Sequence, residues 1–188
     1  MLIKCTIQGV SPLLCNRFTD ANALAVSGGT SAVHVGKKGT PREQAEPKLY
    51  RDANGHCVIP GPNLFRSVID SGVFIRSGKS KLTTARSSLV PAGLAILESE
   101  LLILPEKWEV DSRSVVVPAT GGRIMAHRPR FDEWKLSFSL EADTTMFSSA
   151  TVRELLDLAG QRVGLGDYRP ARKGPFGRFK VVSWKESK

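Results

Sequence analysis

The residues best suited to chemistry lie near the C-terminal end, from Gly164 to Val181. Gly164, Gly166, Gly174 and Gly177 leave this backbone free to take positive φ or to approach another chain closely. Amide N–H groups exposed in such a loop form an anion-binding concavity. Arg169, Arg172, Lys173, Arg178 and Lys180 place cations beside those amides, and Tyr168 and Phe176 add aromatic faces. Phosphates and unstacked bases of a single-stranded nucleic acid match this set. The competing expectation is a tight helix-to-strand connection with solvated charges.

Further cations extend the candidate binding track: Arg17, Lys37, Lys38, Arg66, Arg123, Arg128 and Arg130. Arginine suits a planar fork on phosphate, and lysine supplies a looser point charge. The helix expected to start after Gly61 adds amide donors and a positive dipole end for one phosphate. His127-Arg128-Pro129-Arg130 reads as a basic hairpin tip. Trp134, just after it, reads as core.

Composition agrees with a polyanionic partner. The 188 residues carry a formal net charge of +9. At 41% hydrophobic the chain has enough apolar residues for a packed core. Cys5, Cys15 and Cys57 form no CxxC pair and leave one thiol over, as expected of reduced cysteines in a cytoplasmic protein. His34, His56 and His127 are scattered, so no metal site and no cofactor are expected. No stretch is long and apolar enough for a bilayer, and no signal-peptide layout opens the chain, so no membrane partner is expected.

The elements that must position these residues follow from periodicity. Leu2 to Val10 alternates as a half-buried strand and breaks at Ser11-Pro12. Residues 16–51 hold no apolar period and read as a long, basic insertion. Asp52-Ala53-Asn54-Gly55 reads as a turn, and His56 to Ile59 as a short strand. Leu64, Phe65, Val68, Ile69 and Val73 recur at helical spacing, which predicts a helix from Pro62 to about Ile75. Arg76 to Arg86 is a second basic loop, within an insertion at about 76–91. Ala92 to Leu104 reads as a central strand, and Val115 to Val117 as a short one. Trp134, Leu136, Phe138 and Leu140 alternate with polar residues, the strongest strand signal present. Ser148 or Ser149 caps a helix carrying Val152, Leu155, Leu156, Ala159 and Val163, with Gly164 as its C′ residue. Phe179, Val181 and Trp184 belong to a final strand. Without the insertions the order is strand, helix, strand, strand, helix, strand. That predicts a single α+β, ferredoxin-like or RRM-like domain over 1–188, a βαββαβ palm with basic loop insertions.

Two segments carry a family likeness. His56-Cys57-Val58-Ile59-Pro60-Gly61-Pro62-Asn63-Leu64-Phe65-Arg66 resembles the "IPGSSLKG" signature of the RAMP superfamily, and Gly164 to Val181 resembles its C-terminal glycine-rich loop. Ile3 to Leu13 resembles the family's opening strand. Pro62-Asn63 replaces the paired serines, and Phe65 replaces the usual lysine. The closest likeness within the superfamily is to the backbone subunits of CRISPR effector complexes, the family-seven Cas proteins. The resemblance implies an RRM-like palm with a thumb hairpin, and copies stacked as a filament along a guide RNA beside other effector subunits. It makes 16–51 a candidate thumb. It implies a non-catalytic role in antiviral defence: the aspartate of target-cutting relatives has no counterpart near Gln44 to Pro47, where Glu46 is the only carboxylate. Two alternatives stay open. One is a stand-alone or phage-borne binder of single-stranded DNA. The other is a metal-independent ribonuclease with His34 as acid and base beside Lys37 and Lys38.

Overall fold

The computed structural model describes residues 1–19, 24, 27–28, 39–116 and 121–187. Its principal sheet uses the strands that alternation marks out. β1 (Leu2–Gly9) turns Ile3, Cys5 and Ile7 inward. After β2 (Leu13–Leu14), a short helix α1 (Pro41–Ala45) and the two-residue β3 (Tyr50–Arg51), the chain enters β4 (Cys57–Pro60) and helix α2 (Gly61–Ser71). A small hairpin, β5 (Arg76–Ser77) and β6 (Ser80–Lys81), precedes the one-turn α3 (Val90–Gly93), β7 (Leu94–Ile96) and β8 (Glu100–Leu102). Two long strands, β9 (Glu109–Val116) and β10 (Arg123–Phe131), come next. Then follow β11 (Lys135–Ala142), α4 (Ser149–Leu158) with a wider terminal turn at Ala159–Val163, and β12 (Phe179–Ser187).

The palm sheet runs β12-β1-β11-β7, antiparallel throughout. Numbering these four strands along the chain gives the order 4-1-3-2, with α2 between the first two and α4 between the last two. The fold is therefore α+β and RRM-like, elaborated by eight further strands among the described residues rather than a bare βαββαβ. Ile3 opposes Leu140, Cys5 opposes Phe138 and Ile7 opposes Leu136, so one residue parity of both strands feeds the core. Leu64 and Val68 of α2 and Val152, Leu155 and Leu156 of α4 join the same core. The buried Ser71 hydroxyl ties the helices together by donating to Leu155 O at 2.8 Å.

Several expectations change. Ala92 to Leu104 is not one central strand. Its first part is helical, β7 lies at the palm's edge, and β8 pairs with β4 in a separate sheet. Val115 and Val116 end a much longer strand that makes a hairpin with β10, and Val117 lies outside the described residues. His127-Arg128-Pro129-Arg130 therefore lies within β10, opposite Glu109 to Ser112, and not at a tip. The helix from Pro62 ends at Ser71, and Gly72–Phe74 continues as a 3-10 turn. Part of the 16–51 insertion is regular. Thr40 and Glu43 close a capping box, with Thr40 N–H donating to Glu43 Oε2 at 2.6 Å and Glu43 N–H to Thr40 Oγ1 at 3.3 Å. Donation from the Thr40 N–H, with the Thr40 hydroxyl next, holds the Glu43 carboxyl below its ordinary pKa.

The three cysteines are free and buried. Burial pushes the Cys5 and Cys15 thiols up from 9.0 to about 12. A raised native pKa means that the folded protein keeps these protons when the unfolded chain has released them. The resulting stability contribution is complete below about pH 9 and is lost as the pH rises toward about 12. Native protein will therefore resist a thiol-labelling reagent at neutral pH, and all three thiols will react in denaturant. Rapid native labelling at Cys15 would contradict the burial.

Candidate nucleic-acid interface

The glycine-rich loop packs against β2 and α2. Ser67 Oγ donates to Gly164 O at 2.8 Å, Asp167 N–H donates to Leu14 O at 2.8 Å, and Gly177 N–H donates to Pro12 O at 2.8 Å. Nine amides between Gly164 and Arg178 donate to acceptors within the protein. The loop is accordingly not the open amide nest expected of it. Its glycines serve intramolecular contact: a Cβ at Gly174 would lie 1.8 Å from Tyr168 O, and one at Gly166, with φ +76°, would lie 2.4 Å from Leu14 O. The helix start is similarly committed. Gly61 N–H donates to Ser99 O at 2.8 Å and Pro62 has no N–H, so two of its first three positions offer no donor to a phosphate.

What the fold assembles instead is a pair of adjoining grooves. One, of about 230 Å³, lies between the α2 start and the loop, with Asn63, Arg66, Gly166, Asp167 and Arg169 on its wall. The other, of about 750 Å³, lies between the β9–β10 hairpin and the loop, and is lined by Arg113, Arg128, Arg169 and Arg172 among others. Asp167 and Arg169 border both. The two segments that carry the family likeness thus meet at one surface.

The cations there differ in how far they are committed. Arg128 Nε stands 2.8 Å from Asp167 Oδ2, but the atoms are out of line for a hydrogen bond, so charge alone holds the pair. Arg66 pairs with Asp70 at 2.8 Å, and Arg169 donates to Gly166 O at 3.0 Å. Arg130 pairs with Asp132 and stands 3.8 Å from the buried Asp111. Arg172, Lys173 and Arg178 are exposed, and none has a carboxylate partner among the described residues. Arg172 borders the larger groove, whereas Arg178 follows the buried Gly177 and leads into the palm. Arg123 lies at the far end of β10 from Arg128, opposite Val116. Arg17 is held through its N–H to Lys48 O at 3.0 Å. Lys37, Lys38 and His34 lie outside the described residues.

Three participants had no advance signal. Arg113 sits on β9 between serines. It donates to Asp111 at 2.7 Å and stacks on Phe176, with Cζ 4.6 Å from the ring centroid. Lys48 donates to His127 O at 2.6 Å and so ties the 16–51 insertion to the hairpin; burial, with Arg128 next, lowers its pKa. Tyr50 lines the smaller groove. Only the two-residue spacing Asp111-x-Arg113, once recognised as strand, places that pair on one face.

The hairpin projects apolar side chains into solvent. Val116, Ile124 and Met125 are 52%, 43% and 54% exposed. With the larger groove running along β9 as far as Val116, this arrangement can hold phosphates along a cationic wall and offer wedges or faces to bases. Within the described residues no cluster of His, Cys, Asp and Glu could hold a metal ion, and no helix is long and apolar enough to cross a membrane.

No protein-family model matches the chain, and no curated protein matches it. Its fold is similar to that of a chain in a cryo-EM structure of the Type III-B Cmr-beta complex bound to cognate target RNA. The superposition has a TM-score of 0.54 at 8% identity and covers 98% of this chain and 59% of that one. At this identity the likeness is one of fold, and the present chain spans about three-fifths of its neighbour's length.

Proposed function

We propose that this protein binds single-stranded RNA without cleaving it, as a RAMP-type backbone subunit of a CRISPR ribonucleoprotein. The observation that carries this reading is the meeting of the helix-start segment and the glycine-rich loop along grooves walled by Arg66, Arg113, Arg169 and Arg172. Phosphate contacts by such residues position a strand without reading its sequence. The fold neighbour belongs to an assembly bound to target RNA, which supports the same role here. We take residues 1–188 as one RRM-like domain with inserted segments. The β9–β10 hairpin, with its exposed Val116, Ile124 and Met125, is the thumb in this reading, in place of the 16–51 segment. Successive copies along one guide strand, in contact with other effector subunits, complete the assembly.

The test is equilibrium binding to a mixed-sequence RNA, the same sequence as single-stranded DNA, and the RNA duplex. Single-stranded RNA is expected to bind tightest, and affinity to fall steeply between about 50 and 200 mM salt. Longer strands are expected to give larger complexes. Failure to bind any of the three at low salt would overturn the proposal. Tighter binding to DNA would replace it with a DNA-binding role, because the 2′-hydroxyl is the group that separates the two.

A further inference from the structure

The larger groove holds an aromatic ring that phosphate contact does not account for. Tyr168 lies on its loop wall and is 41% exposed. Its backbone sits in the left-handed region, with φ +48°. Gly164, Gly166 and Gly177 take positive φ in the same loop with no side chain to strain. A bulky residue in that region is an outlier, and such outliers gather where a binding surface needs a side chain at a fixed place. The surrounding structure fixes this one. Phe176 N–H donates to Tyr168 O at 3.3 Å, and Gly174, having no Cβ, leaves room for that carbonyl. The Tyr168 ring rests against the buried Phe176 ring, their centroids 6.0 Å apart and their planes tilted by 37°. Phe176 is held in turn by Arg113 of β9, whose Cζ stands 4.6 Å from its centroid.

Resting on the proposed strand-binding role, we infer that the Tyr168 ring is a stacking platform for one unpaired base of the bound strand, whichever base that is. A phosphate gains little from it, because the face of an aromatic ring is its negative side. A base gains a stacked contact. Every nucleobase has a π-face, so the platform adds affinity without reading sequence, as a subunit repeated along one guide strand requires. Arg169 follows Tyr168 in the chain, and Arg172 borders the same groove. A strand lying along this loop therefore meets cations for its phosphates beside a ring for its base. Phe176 is buried and cannot take the same part. It is a positioning residue, which supports the Tyr168 ring from the protein side. A ring fixed before the strand arrives loses little freedom on binding.

The probe is a mixed-sequence single-stranded RNA, titrated with the full chain between about 50 and 200 mM salt. Tyr168→Ala is expected to weaken binding about tenfold at every salt concentration, toward the lower end for one base on one aromatic ring. The slope of log affinity against log salt should match the wild type, because stacking releases no counterion. Tyr168→Phe keeps the ring and should bind within about twofold of wild type. Alanine and phenylalanine both carry a Cβ, so neither relieves the left-handed backbone, and the two variants differ in the ring alone. A merely structural role would also move the slope, since a collapsed loop displaces Arg169 and Arg172. Wild-type affinity in Tyr168→Ala would overturn the platform and leave the strand-binding reading standing. So would a loss accompanied by a flattened slope, or an equal loss in Tyr168→Phe. Absence of RNA binding by the wild type would remove the strand-binding reading and the platform with it.

Discussion

Charge reversal at Arg172 and Lys173 together will weaken single-stranded RNA binding for every sequence tested and flatten its salt dependence. Both side chains are exposed on a short 3-10 turn after Arg169, and neither has a carboxylate partner among the described residues. Their substitution therefore leaves no buried group unpaired, and thermal stability should be unchanged. Each phosphate contact to a single strand contributes about 0.7 to the slope of log affinity against log salt, so losing two lowers it by about 1.4. Charge-assisted contacts contribute about 1.5–3 kcal/mol each. The double reversal, which adds repulsion, is expected to cost at least about tenfold at low salt. Fluorescence anisotropy at several ionic strengths measures both quantities. Unchanged affinity and slope would reduce the turn to a connector between α4 and β12. Arg128→Ala is not an equivalent test, because it strips Asp167 of its half-buried partner and so reports folding as well as binding.

Gly177→Ala will destabilise the fold more than any change at the cationic rim. Gly177 has φ +69°, and an added Cβ would lie 1.7 Å from Leu165 O. The same two residues share a hydrogen bond, Leu165 N–H to Gly177 O at 2.9 Å, and Gly177 N–H holds Pro12 O. The clash is with backbone on both sides, and no side chain can rotate to relieve it. A left-handed φ costs a non-glycine residue about 1–3 kcal/mol before any clash. A total near 3 kcal/mol or more would lower the melting temperature of a chain this size by roughly 6–12 °C. Differential scanning calorimetry decides it; a shift within about a degree of wild type would mean the loop can relax. Gly55→Ala is the matched control, since Gly55 also has positive φ (+88°) but its Cβ would meet nothing within 4 Å. The difference between the two variants isolates close packing from backbone strain.

The proposed roles of these residues were legible to unequal degrees. The alternation from Trp134 to Leu140, the helical spacing from Leu64 to Val68, and the Ser148 cap are contained within a few neighbouring residues. Thr151 N–H does donate to Ser148 Oγ at 3.2 Å. Positive φ at Gly164, Gly166 and Gly177 is likewise a local property of residues without Cβ. The β9–β10 hairpin escaped notice because most residues of β9 from Ser112 to Val116 and of β10 from Arg123 to Met125 are exposed, so β9 shows no apolar alternation to mark it. Helix α1 escaped for a related reason: only Ala45 of its five residues is buried, and the Thr40 to Glu43 capping box with Pro41 in the first turn were its readable signals.

The sequence alone determined the strands around Ile3 to Ile7, Leu136 to Leu140 and Phe179 to Trp184, the helices carrying Leu64 and Leu155, and the excess of positive charge. Those properties depend on spacings of two to four residues and on composition. Only the tertiary structure decided which cations meet and which are spent on carboxylates. Arg128 faces Asp167 and Arg113 faces Phe176 because the hairpin closes onto a loop far along the chain. It also decided that the glycines of that loop serve packing against β2 and Tyr168 rather than an open amide cradle. Such pairings arise from sheet order and the direction of crossovers, which set long-range proximity and leave no periodic trace in the residues they join.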